Sequence, residues 1–191
     1  MKRFVRFALA AVLACAGLVA TAPAAHAGNI VLRAAGSQDP ASAAATRVVS
    51  SGTNHRYVTV DYATGAESCT LFHFGVFSDY TNGADISPLV VGTTSGTSTN
   101  NVQLRMDFGC GTPSIDNYDT LSLTAGTAFN ITPSGTANVL VTNTPGSSNI
   151  NETTPGCTAG DAMVLRVCRV NNDGGTANPN TFKLVQIRLA Y

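Results

Sequence analysis

From Val102 to Phe108 the chain alternates without a break: Val102, Leu104, Met106 and Phe108 have one parity, Gln103, Arg105 and Asp107 the other. Successive side chains of a strand point to opposite faces, so this is the period of a strand with one dry and one wet face. The parity recurs at 57–62, where Val58, Val60 and Tyr62 alternate with Tyr57, Thr59 and Asp61. It recurs at 182–191, where Val185, Ile187, Leu189 and Tyr191 share a face. Cys69 to Phe77 is apolar on both parities and reads as a central strand; Ala162 to Val170 is another strong segment. Shorter strands are expected around Leu121 and Leu123, at 129–132 and at 139–142. Ile86 to Val91 is interrupted by Pro88 and is not counted. That makes about eight strands and no segment of helical period. Strands in series without helical crossovers predict an all-β fold, an antiparallel sandwich or barrel.

The strands are joined by polar stretches rich in Gly, Ser, Thr and Asn, notably 78–85, 92–100, 143–160 and 171–181. Residues 28–53 are Ala- and Ser-rich, with a possible strand at 29–33, and read as a loosely attached N-terminal arm. The domain proper is expected over 54–191.

The first 27 residues read as a secretory signal. Lys2, Arg3 and Arg6 form a basic head, an apolar run follows from Phe7 to about Val19, and Ala25-His26-Ala27 has the small-x-small form of a cleavage site. The apolar run is too short for a comfortable membrane span, and no second one follows. Val12-Leu13-Ala14-Cys15 loosely resembles a lipoprotein cleavage box, but cutting there leaves a very short apolar core and an apolar stub, so an ordinary signal is preferred. The expected product is secreted or periplasmic. Loss of the head leaves eight basic residues against eleven acidic ones, a net charge of about −3. No basic run remains, which argues against nucleic acid and an anionic membrane surface as partners.

Four cysteines follow the signal: Cys69, Cys110, Cys157 and Cys168. An even count in an exported chain predicts two disulfides, with three connectivities open. Zinc is disfavoured because no two cysteines stand at the close spacing of a zinc ligand pair.

Residues 160–169 (GDAMVLRVCR) and 182–191 (FKLVQIRLAY) carry a resemblance. A turn, a strand with a basic end, a polar loop and a last strand closing on an aromatic resemble the C-terminal strands of jelly-roll domains in phage tail and virion-associated proteins. The resemblance covers the last third of the chain and implies a jelly-roll-like β-sandwich, with no active site carried over. In a jelly roll of eight strands the second and seventh are antiparallel neighbours. This winding implies a Cys69–Cys168 bridge, leaving Cys110 for Cys157.

Catalytic chemistry finds little purchase. His55 and His73 are the two histidines after residue 27 and form no metal-binding pattern; His73 reads as a core histidine. Glu67 and Glu152 are the only glutamates, nothing pairs the aspartates, and G-x-S-x-G is absent. No cofactor is expected, with calcium the one ion that Asp116 and Asp119, or Asp173 in its Asn/Gly-rich run, are suited to hold. Turn chemistry is the commoner reason for such runs. Tyr57, Tyr80 and Tyr118 are candidate sugar-stacking residues on loops or open faces. The leading expectation is therefore a non-enzymatic exported sandwich with a structural or surface-interaction role, its partner a second copy, a glycan or a cell-surface protein. A carbohydrate-binding module is the first alternative and a hydrolase with an unrecognised carboxylate pair the second.

Overall fold

A computed structural model describes residues 28–51, 54–76, 78, 80, 86–117, 120–144, 157–170 and 177–190; the expected signal segment lies outside the described residues. The strands are β1 (Asn29–Arg33), β2 (Thr46–Ser51), β3 (Arg56–Tyr62), β4 (Ser68–Gly75), β5 (Ser87–Thr94), β6 (Val102–Gly111), β7 (Thr124–Ala125), β8 (Phe129–Ile131), β9 (Val141–Asn143), β10 (Ala162–Arg169) and β11 (Phe182–Ala190). A 3-10 turn at Ala34–Gly36 follows β1.

All ladders are antiparallel and form two sheets. The six-stranded sheet runs β2-β3-β11-β5-β9, with β1 beside the second half of β11. The five-stranded sheet runs β4-β10-β6-β7, with β8 also on β6. From β3 to β6, and from β9 to β11, successive strands alternate between the sheets. This is the winding of a jelly-roll-like sandwich, whose two inner faces interdigitate to make the core. Val60, Tyr62, Val90, Phe182, Leu184, Ile187 and Leu189 from one sheet meet Phe72, Leu104, Met106, Met163, Leu165 and Val167 from the other, all buried.

Local features explain departures from the simple pattern. The register of β11 against β5 slips between Leu184 and Gln186. Phe182 and Leu184 face the core before the slip, Ile187 and Leu189 after it. One added residue switches parity, so Val185 does not share the face of Ile187 as expected. β5 forms despite Pro88 because Pro88 pairs with Leu189 of β11 on one side, while β9 reaches only Val90–Gly92 on the other. A missing N–H is tolerated where no strand waits for it. Gly92 is required: a Cβ there would drive into the Phe182 ring and lie 2.9 Å from the Lys183 carbonyl oxygen.

The N-terminal residues are not a loose arm. β1 pairs with β11 over five residues, β2 pairs with β3 over six, and between them Gln38 and Ala44 bridge to Leu71 and Cys69 along the edge of β4. Leu32, Ala34 and Ala45 are part of the core. The strand expected at 29–33 is present as β1, while the Ala- and Ser-rich stretch 34–45 after it carries no alternation that would show how closely the segment is held. The segment around Leu121 and Leu123 also differs from expectation: pairing is confined to β7 just after it, and 121–123 lies over Gly109 instead.

Both disulfides are formed, Cys69–Cys168 and Cys110–Cys157. Cys69 and Cys168 stand directly opposite each other on β4 and β10.

One end of the core is closed by a buried cation. Arg169 points inward from β10, donating from Nη1 to the Asn180 and Tyr62 carbonyls at 2.7 and 3.4 Å and from Nη2 to the Asn178 carbonyl at 2.6 Å. Asn178 in turn donates to the Asn100 and Ser98 carbonyls, so Arg169 anchors the turn that leads into β11.

Candidate functional site

Each sheet has one face on the core and one turned away, and function must be sought on the outer faces and connecting loops. The two outer faces differ in what their polar groups are doing.

On the five-stranded sheet the outward parity of β6 and β10 places Arg105, Asp107 and Arg166 together, with Arg166 and Asp107 directly paired. Arg105 Nε and Nη2 donate to Asp107 Oδ1 and Oδ2 at 2.7 and 3.1 Å. Arg166 Nε and Nη2 both donate to Oδ2, at 2.9 and 2.7 Å. The Gly126 N–H adds a contact to Oδ1 at 3.3 Å, and Arg105 Nη2 also reaches Glu67 Oε1 at 2.9 Å. The Asp107 side chain is fully buried beneath the two guanidiniums. Burial alone would raise its pKa, but the hydrogen bonds and charges of Arg105 and Arg166 outweigh burial and hold the carboxyl below its ordinary value. Every lone-pair direction of this carboxylate is used, so the group is a clamp across β6 and β10 rather than a reactive acid. Part of the same face is covered, because the Ser122 carbonyl and Leu123 lie against Gly109. His73, on the outward parity of β4 opposite Val164, is half-buried rather than a core residue, and burial lowers its pKa.

The outer face of the six-stranded sheet is arranged differently. Register sets Arg33 beside Gln186, Gln186 beside Val91, and Val31, Arg188 and Leu89 in the next row. Lys183 stands between Asp61 and Thr93. Arg33 and Arg188 are exposed, Gln186 and Lys183 half-exposed. Arg188 Nε donates to the neutral Asn29 Oδ1 at 2.9 Å. Among the described residues the Arg33 guanidinium, the Lys183 ammonium and the Gln186 amide have no hydrogen-bond partner. Thr59, whose hydroxyl donates to Asp61 at 2.6 Å, and Thr93 are buried on this parity, so the open strip follows β1 and β11. It is amphipathic: unengaged donors alternate with Val31, Leu89 and Val91.

The residues expected from sequence are dispersed. Tyr57 lies on this same outer parity, half-buried, with the His55 ring 5.8 Å away at a tilt. Tyr80 is not on an open loop surface: it is 5% exposed and belongs to the core cluster. A tyrosine ring carries enough apolar area to be drawn into the core even from a polar stretch. Tyr118, Asp119 and Asp173 lie outside the described residues. Asp116 is exposed and caps its own turn, its Oδ2 accepting from the Thr112 N–H at 2.8 Å. Glu67, Cys69 and Cys168 form the one cluster of three candidate metal ligands among the described residues. Both sulfurs are held in the disulfide, which removes them as thiolate ligands. The strip of Arg33, Gln186 and Arg188 was missed because a long-range ladder assembles it from opposite ends of the chain. The available signal was the polar parity of each strand taken separately.

No protein-family model matches the sequence, and no curated protein matches it. Among solved structures, an exo-β-1,3-galactanase from Phanerochaete chrysosporium, crystallised with β-1,3-galactotriose, superposes with a TM-score of 0.50 at 12% identity. The match covers 86% of this chain and only 29% of the galactanase chain. A family 35 carbohydrate binding module from an environmental isolate gives 0.48 at 8% identity, covering 84% of this chain and 91% of that one. The xylan-binding module CBM15 gives 0.45 at 16% identity, covering 85% and 97%. At these identities the galactanase match shows a shared β-sandwich fold and nothing finer.

Proposed function

We propose that this chain is an exported, disulfide-bonded β-sandwich that binds carbohydrate through the outer face of its six-stranded sheet. The observation that carries the reading is the strip along β1 and β11, where Arg33 and Gln186 offer unengaged donors, and Arg188 the guanidinium nitrogens beyond the one held by Asn29, between Val31, Leu89 and Val91. A pyranose presents the matching pattern, hydroxyl acceptors at its rim and apolar C–H faces. Binding sites pair an apolar surface with a few placed polar groups in this way. A strip mounted on paired strands is also preorganised, so little ordering cost opposes binding. The fold supports the reading in one further way: a sandwich of this kind occurs within a galactan-acting protein. Two disulfides suit a secreted or periplasmic location.

Affinity electrophoresis of the oxidised protein through gels containing galactan, xylan or polygalacturonate tests this. Retardation in at least one gel, weakened by Arg188→Ala, is expected; unretarded migration in all three would sink it.

A second reading, self-association, has its own observation. Val49 on the edge strand β2 is 65% exposed and Leu140, just before the opposite edge strand β9, is 61% exposed. Open sheet edges with exposed apolar residues are templates for pairing. Light scattering after size exclusion decides it, a monomer at all concentrations counting against association.

A further inference from the structure

We infer that the carbohydrate taken by this face is an acidic polysaccharide bearing carboxylates along its length, an assignment that rests on the carbohydrate-binding reading above. The charge of the sheet is the reason. The strands of the six-stranded sheet hold five basic residues, Arg33, Arg47, Arg56, Lys183 and Arg188, against one acid, Asp61. Of the six carboxylates among the described residues, four, Asp39, Glu67, Asp116 and Asp161, lie outside the strands. Arg47 and Arg56 have the inward parity of β2 and β3, and Arg47 Nη1 donates to the Ser37 carbonyl. Arg33, Lys183 and Arg188 have the outward parity. The chain has a net negative charge once the basic head is gone, yet this face is positive.

The spacing selects a polymer over a small anion. Arg33 pairs with Gln186 and is therefore the diagonal neighbour of Arg188, roughly 7–8 Å away between Cα positions. Lys183 is five residues before Arg188 on the same strand, about 16 Å at the rise of a β-strand. One carboxylate cannot meet all three, whereas a chain with repeated carboxylates lying along β11 can. Nucleic acid is a poor match, since its one charge per about 1.7 Å of duplex axis calls for a denser cationic surface. A neutral glycan would cover Arg33 and Arg188 without a counter-charge, and desolvating an unpaired guanidinium is costly. Arg33 and Arg188 are thus assigned to carboxylates and Gln186 to a hydroxyl. Lys183 has a lesser part, because Asp61 faces it across the ladder without closing an ion pair.

The test compares polygalacturonate with its methyl ester, which keeps the backbone and loses the charge, by calorimetry on the oxidised chain. The free acid is expected to bind about tenfold more tightly, as one or two charge-assisted hydrogen bonds would give. That preference should fall on going from about 20 to about 300 mM salt, as the Debye length shortens. The Arg33→Gln/Arg188→Gln variant, altered only at exposed side chains, is expected to melt at the parental temperature and to bind both polymers equally. Equal or tighter binding of the ester by the parental chain overturns the acidic assignment while leaving the carbohydrate reading intact, as does a double variant that keeps the preference. Binding of polyglutamate as tight as that of polygalacturonate shows that charge without sugar suffices and also overturns it. No binding of either polymer, or of galactan or xylan, overturns both.

Discussion

Asp107 keeps its charge out of water because two guanidiniums from neighbouring strands hold it. Removing the acid would leave Arg105 and Arg166 facing each other across β6 and β10, and breaking a buried ion pair on one side costs about 3–5 kcal/mol. Arg105 and Arg166 are each about a quarter to a third exposed, so water relieves part of that penalty. Asp107→Ala is accordingly expected to lower the free energy of unfolding in urea by about 2–3 kcal/mol; a loss below about 0.5 kcal/mol, the size of a plain surface change, would show that the clamp is idle. The pH dependence has two stages. The folded pKa of Asp107 is depressed, so its contribution is complete above the unfolded value near 4 and is lost as pH falls through the lower folded value. The folded pKa of His73 is lowered by burial, so the unfolded chain takes up its proton first and stability begins to fall below about pH 6.5. Urea midpoints measured from pH 8 to pH 2 should therefore decline gently below about 6.5 and steeply below about 4. His73→Phe should remove the first decline alone, and an unchanged profile in that variant would refute the assignment. Arg169 works through backbone acceptors. Arg169→Met leaves the carbonyls of Tyr62, Asn178 and Asn180 without its donors and is expected to cost about 3 kcal/mol, read as a fall in urea midpoint.

At the scale of the strand, β11 organises both the core and the candidate site. It pairs with β5 along its length, with β3 at its start and with β1 over its second half. Gly92 is a close fit, since its missing side chain is what admits the Phe182 ring between β5 and the core. Gly92→Ala is expected to destabilise by about 1–3 kcal/mol through overpacking, measured in urea, and a neutral result would mean that β5 shifts freely. The same elements show how far the sequence could be read. Period-two segments such as 57–62 and 102–108 announced their strands because alternation is a local property. The jelly-roll winding also implied the Cys69–Cys168 pairing, which matches the bridge found between β4 and β10. What stayed hidden depends on partners distant in sequence. The slip in β11 reverses parity at Val185, and nothing local marks it. β1 is too short to show a clear period and β2 ends in two serines, and Tyr80 sits in a polar stretch while its ring is in the core. The strip of Arg33, Gln186 and Arg188 exists only once β1 is laid against β11. Each of its members reads alone as an ordinary wet-face residue.

For the whole molecule, the disulfides and the two outer faces divide the work. Cys69–Cys168 closes a loop of 99 residues and encloses Cys110–Cys157, which closes 47. Closing a loop twice as long removes only about 0.6 kcal/mol more of unfolded-state freedom, so both bridges contribute on the same scale, typically about 2–4 kcal/mol each. One outer face spends its charges on a clamp and lies partly under 121–123; the other keeps its donors open along β1 and β11. The most direct measurement of that division is an NMR titration of the isotope-labelled, oxidised protein with soluble oligogalacturonate, following backbone amide shifts residue by residue. The account predicts saturable shifts centred on Val31, Arg33, Gln186, Arg188 and Leu89, with Arg105, Asp107 and Arg166 unmoved. Shifts confined to the five-stranded sheet, or no shifts at all with this or a neutral oligosaccharide, would contradict it.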